Sequence, residues 1–440
     1  MTSWGPPKYV YQNLLDLKEA PGAEKEREED RYPNYCLSWS KHIYEDKKTG
    51  KKLQLLACCG GVKAQIVAVE RDNPHDPLRP WSTFIDVDPD EKFRASAFGG
   101  RSINGSPFLI LGGKAAIIKL VDIDKRCLAH TLEGHRGVIN DLKVPPSDDS
   151  FLLSSAGDEG IRLWNLDVRA CVAAFAGTYG HRKAVLSLSW HFEGKMFASS
   201  GVDGYVRLWN GVCDVRFTGA SHVSRRPIPD ESVAKGQPYY DQFPKFASNK
   251  LHVSPVDCVH WFKDGRILSK CIDNEFLLWE PDFSIEDESQ PQQEVAGHPP
   301  AKDVIVFMRF QVSGRRRNYF SRFGVDPLDE QLAVGELLGT ISIWNLNDAV
   351  DNAPFDDDDD CAFEDDGCLD FRIDPYQTLN LPNHSDKVRV VTYAPNGGNK
   401  MLVACSDEGN LFLMENSNMS QIGGTNEIDD SESDKGFVDI

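Results

Sequence analysis

Short runs in which apolar and polar residues alternate, each ended by a turn, recur along the chain, and three of them align without gaps: SSAGDEGIRLWN (154–165), SSGVDGYVRLWN (199–210) and SKCIDNEFLLWE (269–280). A period of two predicts β-strands. In each copy an Asp stands six residues before a Trp, and a Ser ten before it. Upstream lies a His followed nine residues later by the apolar residue that closes another alternating run: His181 before Trp190 in GHRKAVLSLSW, and His252 before Trp261 in LHVSPVDCVHW. GHRGVINDLKV, opened by His135, is a third copy. A repeat unit of some 40–50 residues governs every later inference, because it signals an array of small sheets rather than one core.

The spacing has a physical reason. An indole N–H can donate to a Ser hydroxyl, that hydroxyl can reach a His ring, and the other ring nitrogen can be held by an Asp in a tight turn. The expected relays are His135, Ser154, Asp158 and Trp164; His181, Ser199, Asp203 and Trp209; and His252, Ser269, Asp273 and Trp279. These are the spacings of a WD repeat. The His, Asp and Ser resemble a catalytic grouping, but the Ser is committed to Trp on a strand that the pattern places inside, so the expected role is structural. Weaker copies lie at 53–70, 106–123 (with Gly112 and Gly113 at the turn), 332–346 (with Trp344) and 384–415 (with His384, and Met414 in the Trp place). Seven units predict an all-β, seven-bladed WD40 β-propeller, closed by lending PKYVYQNLLDL (7–17) to the last blade so that no long sheet edge stays open.

Nine Trp and 23 Phe among 440 residues fit a globular chain. No apolar run approaches the roughly 18 residues of a membrane span, and the start lacks a basic segment followed by an apolar stretch, so a cytosolic or nuclear setting is expected. The 11 Cys show no paired C-x-x-C spacing, which points away from a metal site or a disulfide framework and toward small buried hydrophobes. The chain has no Gly-rich phosphate loop, no metal-ligand spacing and no nucleophile outside the relays, so an enzyme and a cofactor are not expected. Lys+Arg 48 against Asp+Glu 68 gives a net charge of −20, which disfavours a general nucleic-acid binder. Most of that charge is localised: residues 351–370 hold ten acids and no base, and 418–440 hold six acids and one Lys.

The expected organisation is an arm and charged linker over 1–31, a propeller over 32–417 and an acidic tail over 418–440. Three insertions interrupt the repeats: 211–251 between the fourth and fifth blades, 310–330 as a basic loop between the first two strands of the sixth, and the acidic loop 351–370. Arg315, Arg316 and Arg317 make 310–330 the one place where weak nucleic-acid contact is considered.

Beyond the repeats, FIDVDPDEKFRASAF (84–98), EGHRGVINDLKV (133–144), FPKFASNKLHVSPVDCVHWFKDGRILSK (243–270) and DVIVFMRF (303–310) resemble the EED / extra sex combs family. The resemblance covers 7–415 in order. It implies a non-catalytic propeller subunit of Polycomb repressive complex 2, the histone H3 lysine-27 methyltransferase, acting in gene silencing on chromatin in the nucleus. Implied partners are the SET-domain catalytic subunit, whose helix lies in a groove, and zinc-finger and other Polycomb subunits, with histone H3 as a candidate ligand. The groove positions carry over to Ile139, Asn140 and Leu142, which could equally be core residues of their strand.

The resemblance also implies an aromatic cage for trimethyl-lysine, at positions occupied here by Tyr35, Arg94, Val306 and Phe307, with Arg389 lining the channel. Only two of the four are aromatic, and a cation at Arg94 repels a cationic ligand, so readout is expected to be lost or weakened. Phe93 could serve in place of Arg94 only if the register slipped, since alternation points the two to opposite faces. Two other readings use the same blades: a histone-binding or chaperone propeller, favoured by the acidic run Asp356–Asp360, and an E3-ligase substrate receptor, which lacks a docking module in the N-terminal segment.

Overall fold

The computed structural model describes residues 9–16, 36–46, 49–70, 77–102, 105–211, 238–281, 304–312, 320–347, 374–381, 387–395 and 401–416. They form a seven-bladed β-propeller. Each blade begins with an inner strand: Cys36–Trp39, Phe93–Gly99, Ile139–Lys143, Val185–Trp190, Val256–Trp261, Gly324–Val325 and Val388–Tyr393. Three further antiparallel strands follow outward, and successive inner strands adjoin one another around a central channel.

Both faces of every sheet are covered by the neighbouring blades, which is why Phe151–Ala156 is buried at every position although a single exposed face would demand alternation. The apolar clusters accordingly join adjacent blades. Leu37, Leu56 and Val67 of the first pack with Val390, Val403 and Leu413 of the seventh. Ala95, Ile110 and Leu120 of the second pack with Ile139, Leu152 and Trp164 of the third. Trp164, Trp209 and Trp279 are at most 2% exposed, and burying a side chain of this size contributes about 1.5–3 kcal/mol or more.

The ring closes as the sequence predicts. Tyr9–Asp16 pairs antiparallel with Asn410–Asn416 as the outermost strand of the seventh blade. Two insertions are placed differently. Residues 211–251 are not wholly an excursion: Phe246–Ser248 is the fourth strand of the fourth blade, and Tyr239–Asp241 adds a fifth, parallel strand to the third blade beside Ala170–Phe175. Residues 310–330 are not a loop between the first two strands of the sixth blade: they run from the last strand of the fifth to the inner strand of the sixth, Gly324–Val325. Val304–Gln311 is the fourth strand of the fifth blade, paired with Glu275–Pro281, so the basic segment connects two blades. The third strand of a four-stranded blade needs an outer partner, and the run VIVFMRFQ supplies it. Arg315–Arg317, the acidic run 351–370 and the tail 418–440 lie outside the described residues.

Removing residues 1–17 should expose the outer edge of Asn410–Asn416 and leave the ring open. The expected result is a lowered melting temperature and concentration-dependent aggregation relative to the full chain, read by calorimetry and light scattering.

Candidate functional site: the channel and its mouth

The relays form in three blades. The Trp164 indole N–H donates to Ser154 Oγ at 2.8 Å, His135 Nε2 lies 2.7 Å from the same oxygen, and His135 Nδ1 is 3.0 Å from Asp158 Oδ2. In the next blade the corresponding distances are 2.9 Å for Trp209 to Ser199, 2.9 Å for His181 Nε2 to Ser199 and 2.9 Å for His181 Nδ1 to Asp203, and buried Arg207 adds a 2.9 Å bond to Asp203. The third relay departs from the sequence reading at one member. Trp279 and His252 reach Ser269 at 3.0 and 2.8 Å, but His252 Nδ1 bonds Glu275 at 3.2 Å, and Asp273 instead accepts from the Ser254 hydroxyl. Ser254, two residues past the His, occupies the turn carboxylate, and the longer Glu275 side chain reaches the ring. Cys271 Sγ lies beside this pair, within 4.8 Å of the His252 and Glu275 donor atoms.

The channel is built on a repeated irregularity. In five blades the pairing of the inner strand with the second shifts one residue after it begins, at Arg94, Asn140, Leu186, Asp257 and Arg389. A bulged residue leaves the ladder, which re-aims its side chain and frees its backbone groups. Four of the freed carbonyls converge on one residue. Arg322 Nη2 donates to the carbonyls of Leu186 at 2.8 Å and Asn140 at 3.3 Å, its Nη1 donates to the Asp257 carbonyl at 3.0 Å, and its backbone N–H donates to the Arg389 carbonyl at 2.9 Å. Burial disfavours the guanidinium charge, but Asp141, Cys258 and Asp257 outweigh it and hold Arg322 above the ordinary arginine range. Asp257 also pairs with fully buried Lys270 at 2.8 Å. Arg389 grips Asp407 through Nε and Nη2, the latter at 2.7 Å.

At the mouth, Arg94 Nη1 is 3.4 Å from Asn140 Oδ1, and its guanidinium carbon lies 5.0 Å from the centroid of the Phe320 ring. Phe320 is anchored by its own backbone N–H, which donates to Asp257 Oδ2 at 3.0 Å. Phe93 is fully buried against Phe84, on the other face from Arg94.

Several sequence-derived positions therefore need correction. Val306 and Phe307 sit on the outer strand of the fifth blade, where Phe307 packs with Arg266 at 5.8 Å, three strands from the channel. The dipeptide Arg-Phe at 309–310 recurs at 322–323, and there Arg322 reaches the channel while Phe323 packs in the core. Ile139 and Leu142 are 0% and 1% exposed within the core between the second and third blades. Asn140, 4% exposed, is spent on the Val185 carbonyl at 2.9 Å and on Arg94. None of the three has surface left for a partner helix. Tyr35 lies outside the described residues. Phe320 and Arg322 were missed because a two-residue inner strand, Gly324–Val325, leaves too short an alternating run to detect.

Comparisons with known proteins agree with this architecture. The model of the WD domain, G-beta repeat, matches residues 126–165 and 171–210. Maize Polycomb group protein FIE2 is 31% identical over 264 residues, and Polycomb protein esc of Drosophila melanogaster 30% identical over 271. Over these segments the chain is similar to the Polycomb esc and FIE proteins. The matched segment is 60% of this chain, and it spans 65% of the maize protein and 60% of the fly protein, less than two thirds of either. Rice FIE1 aligns over more, 87% of this chain and 88% of its own, at 26% identity. Among solved structures, a chain of a humanized Chaetomium thermophilum Polycomb Repressive Complex 2 bound to the inhibitor GSK126 superposes with a TM-score of 0.70 at 18% identity, covering 94% of this chain and 98% of that one. A chain of the C. thermophilum complex with H3K27me3 and H3K27M gives a TM-score of 0.68 at the same identity, covering 94% and 98%.

Two outcomes test this ring and its relays. Arg322→Met removes a buried cation and orphans carbonyls in the third, fourth and fifth blades, so denaturant unfolding should show a loss of about 3–5 kcal/mol. Acid should act in two windows. Burial, and for His181 also the Arg207 charge, pushes His181 and His252 below the ordinary imidazole range. A depressed folded pKa means that their stabilising contribution is complete above about pH 6.5 and is lost as the pH falls below it. Burial would raise Asp203 and Glu275, but contact with His181 and Arg207, and with His252 and Arg309, holds both below the carboxylate range. Their contribution is complete above about pH 4 and is lost below it. Melting temperatures should decline from pH 7 toward 5 and fall again below 4.

Proposed function

We propose that this chain is the non-catalytic WD-repeat subunit of a Polycomb repressive complex 2-like histone H3 lysine-27 methyltransferase, working on chromatin in the nucleus, and that its own readout of trimethyl-lysine is lost or weakened. The scaffold part rests on homology to the Polycomb esc and FIE proteins together with the closed seven-bladed ring. A rigid propeller offers two faces and a rim to other subunits without contributing reacting groups. The assignments to partners are a SET-domain catalytic subunit, held through one of its helices, and zinc-finger Polycomb subunits. The helix must lie on side chains other than Ile139, Asn140 and Leu142.

The observation that carries the second part is the position of Arg94. A methyl-lysine cage attracts its ligand by presenting ring faces to a cation, each worth about 0.5–2 kcal/mol. Here the chain's own guanidinium already lies over the Phe320 ring, 5.0 Å from its centroid. An incoming trimethylammonium would have to displace Arg94 from that face and remain beside its positive charge.

Two measurements follow. Affinity capture of the tagged chain from its own cells, read by mass spectrometry, should recover a SET-domain methyltransferase and a zinc-finger protein. Recovery of histones H3 and H4 alone would instead favour a chaperone. Calorimetric titration with a lysine-27-trimethylated H3 peptide should give no saturable binding below about 1 mM for the native chain and a gain for Arg94→Tyr. Micromolar binding by the native chain, abolished by Phe320→Ala, would overturn the loss of readout while leaving the scaffold assignment intact.

A further inference from the structure

The first blade carries a thiol pair that the architecture of the ring does not require. Cys36 opens the inner strand and stands directly opposite Cys59 in the antiparallel pairing of Cys36–Trp39 with Lys52–Gly60. Opposed residues in such a pair have Cα atoms about 4.5–5.5 Å apart, within the roughly 4.4–6.8 Å that a disulfide bridges. Both thiols are free, and each perturbs the ionisation of the other. Cys59 is fully buried, whereas Cys36 is partly exposed. Ser96, on the neighbouring inner strand, donates its hydroxyl to Cys36 Sγ at 3.5 Å and lies 2.7 Å from Ser38 Oγ. The charged groups facing Cys36 are Lys143 and Arg322, which favour an anion there, and Asp141, which opposes it.

We propose that Cys36 and Cys59 form an oxidisable dithiol, with Cys36 as the thiolate that attacks a hydroperoxide and Cys59 as the resolving thiol. In the first step Cys36 Sγ bonds to one peroxide oxygen, the O–O bond breaks, and the other oxygen leaves as hydroxide or alkoxide and takes a proton, giving a sulfenic acid. In the second step Cys59 Sγ attacks that sulfur, the S–O bond breaks, and water leaves with the Cys59 proton. The pair is thereby oxidised by two electrons and the hydroperoxide reduced. The electrostatics agree with these roles. Hydrogen bonding from Cys59, reinforced by Ser96 and Lys143 against the effect of burial, lowers Cys36 to about 6, and the same contact together with burial raises Cys59 well above the ordinary thiol range. The adjacent Cys58 points to the opposite face of its strand, into the cluster with Cys405, and burial raises it as well. The bond would fasten the inner strand to its neighbour and remove a negative charge from the surroundings of Arg322.

Alkylation of the native full-length chain by iodoacetamide, followed residue by residue by mass spectrometry, supplies the first test. The Cys36 rate should level off by about pH 7, where an ordinary thiol near 8.5 still gains roughly ten-fold per pH unit. Treatment with stoichiometric hydrogen peroxide should then yield a Cys36–Cys59 linked peptide, reversible by dithiothreitol and absent from Cys36→Ser. In Cys59→Ser the sulfenic acid should persist and be trapped by dimedone. A Cys36 rate that keeps climbing through pH 8.5, or peroxide that consumes exposed Cys127 while Cys36 stays unmodified, would overturn the proposal. So would conversion of Cys36 in the native chain to sulfinic acid without a bond to Cys59.

Discussion

A propeller must hold its blades together at the centre, where the inner strands crowd and bulge, and here that constraint is met by the guanidinium of Arg322. Bulging releases backbone carbonyls from their ladders, and a buried carbonyl without a donor costs about 1–3 kcal/mol. One planar side chain with several fixed donors satisfies three of these carbonyls from three blades, while its own backbone N–H satisfies a fourth. A lysine could not do this, since its donors radiate from one atom. The carboxylates of Asp141 and Asp257 are then explained as counter-charges that let the cation remain buried.

The two kinds of polar network act at different scales. Each Trp–Ser–His–acid relay fixes strands within one blade, and each can vary independently, as the exchange of Asp273 for Glu275 shows. The central network joins blades, so its members tolerate less change. Arg94 stands at the border between them. It touches Asn140 on one side and the Phe320 ring on the other, and a ring face occupied from within is a different chemical surface from an open aromatic box.

The blades were legible because their signals are local: a Ser, an Asp and a Trp on adjacent strands keep fixed separations, and alternating runs mark the strands. The closing strand was legible for the same reason. The channel was not. A bulge leaves no trace in composition, and the inner strand of the sixth blade is too short to show a period. With that strand hidden, VIVFMRFQ was the nearest regular run and took its place, carrying Val306 and Phe307 with it. Ile139 and Leu142 were placed on the right strand, but the covering of both sheet faces by neighbouring blades, a tertiary fact, removes them from any surface.

The pairing of Tyr9–Asp16 with Asn410–Asn416 also bears on how the molecule comes into being. During synthesis the early strand emerges first and has no partner until almost the whole propeller has followed it. Joining segments so distant in sequence is slow, because the chain entropy between them must be lost before the contact is gained. The seventh blade therefore completes last, and until then two sheet edges, one at each end of the arc of blades, stay open to wrong partners. Association with another subunit before that step would have to wait, or would have to shield those edges itself.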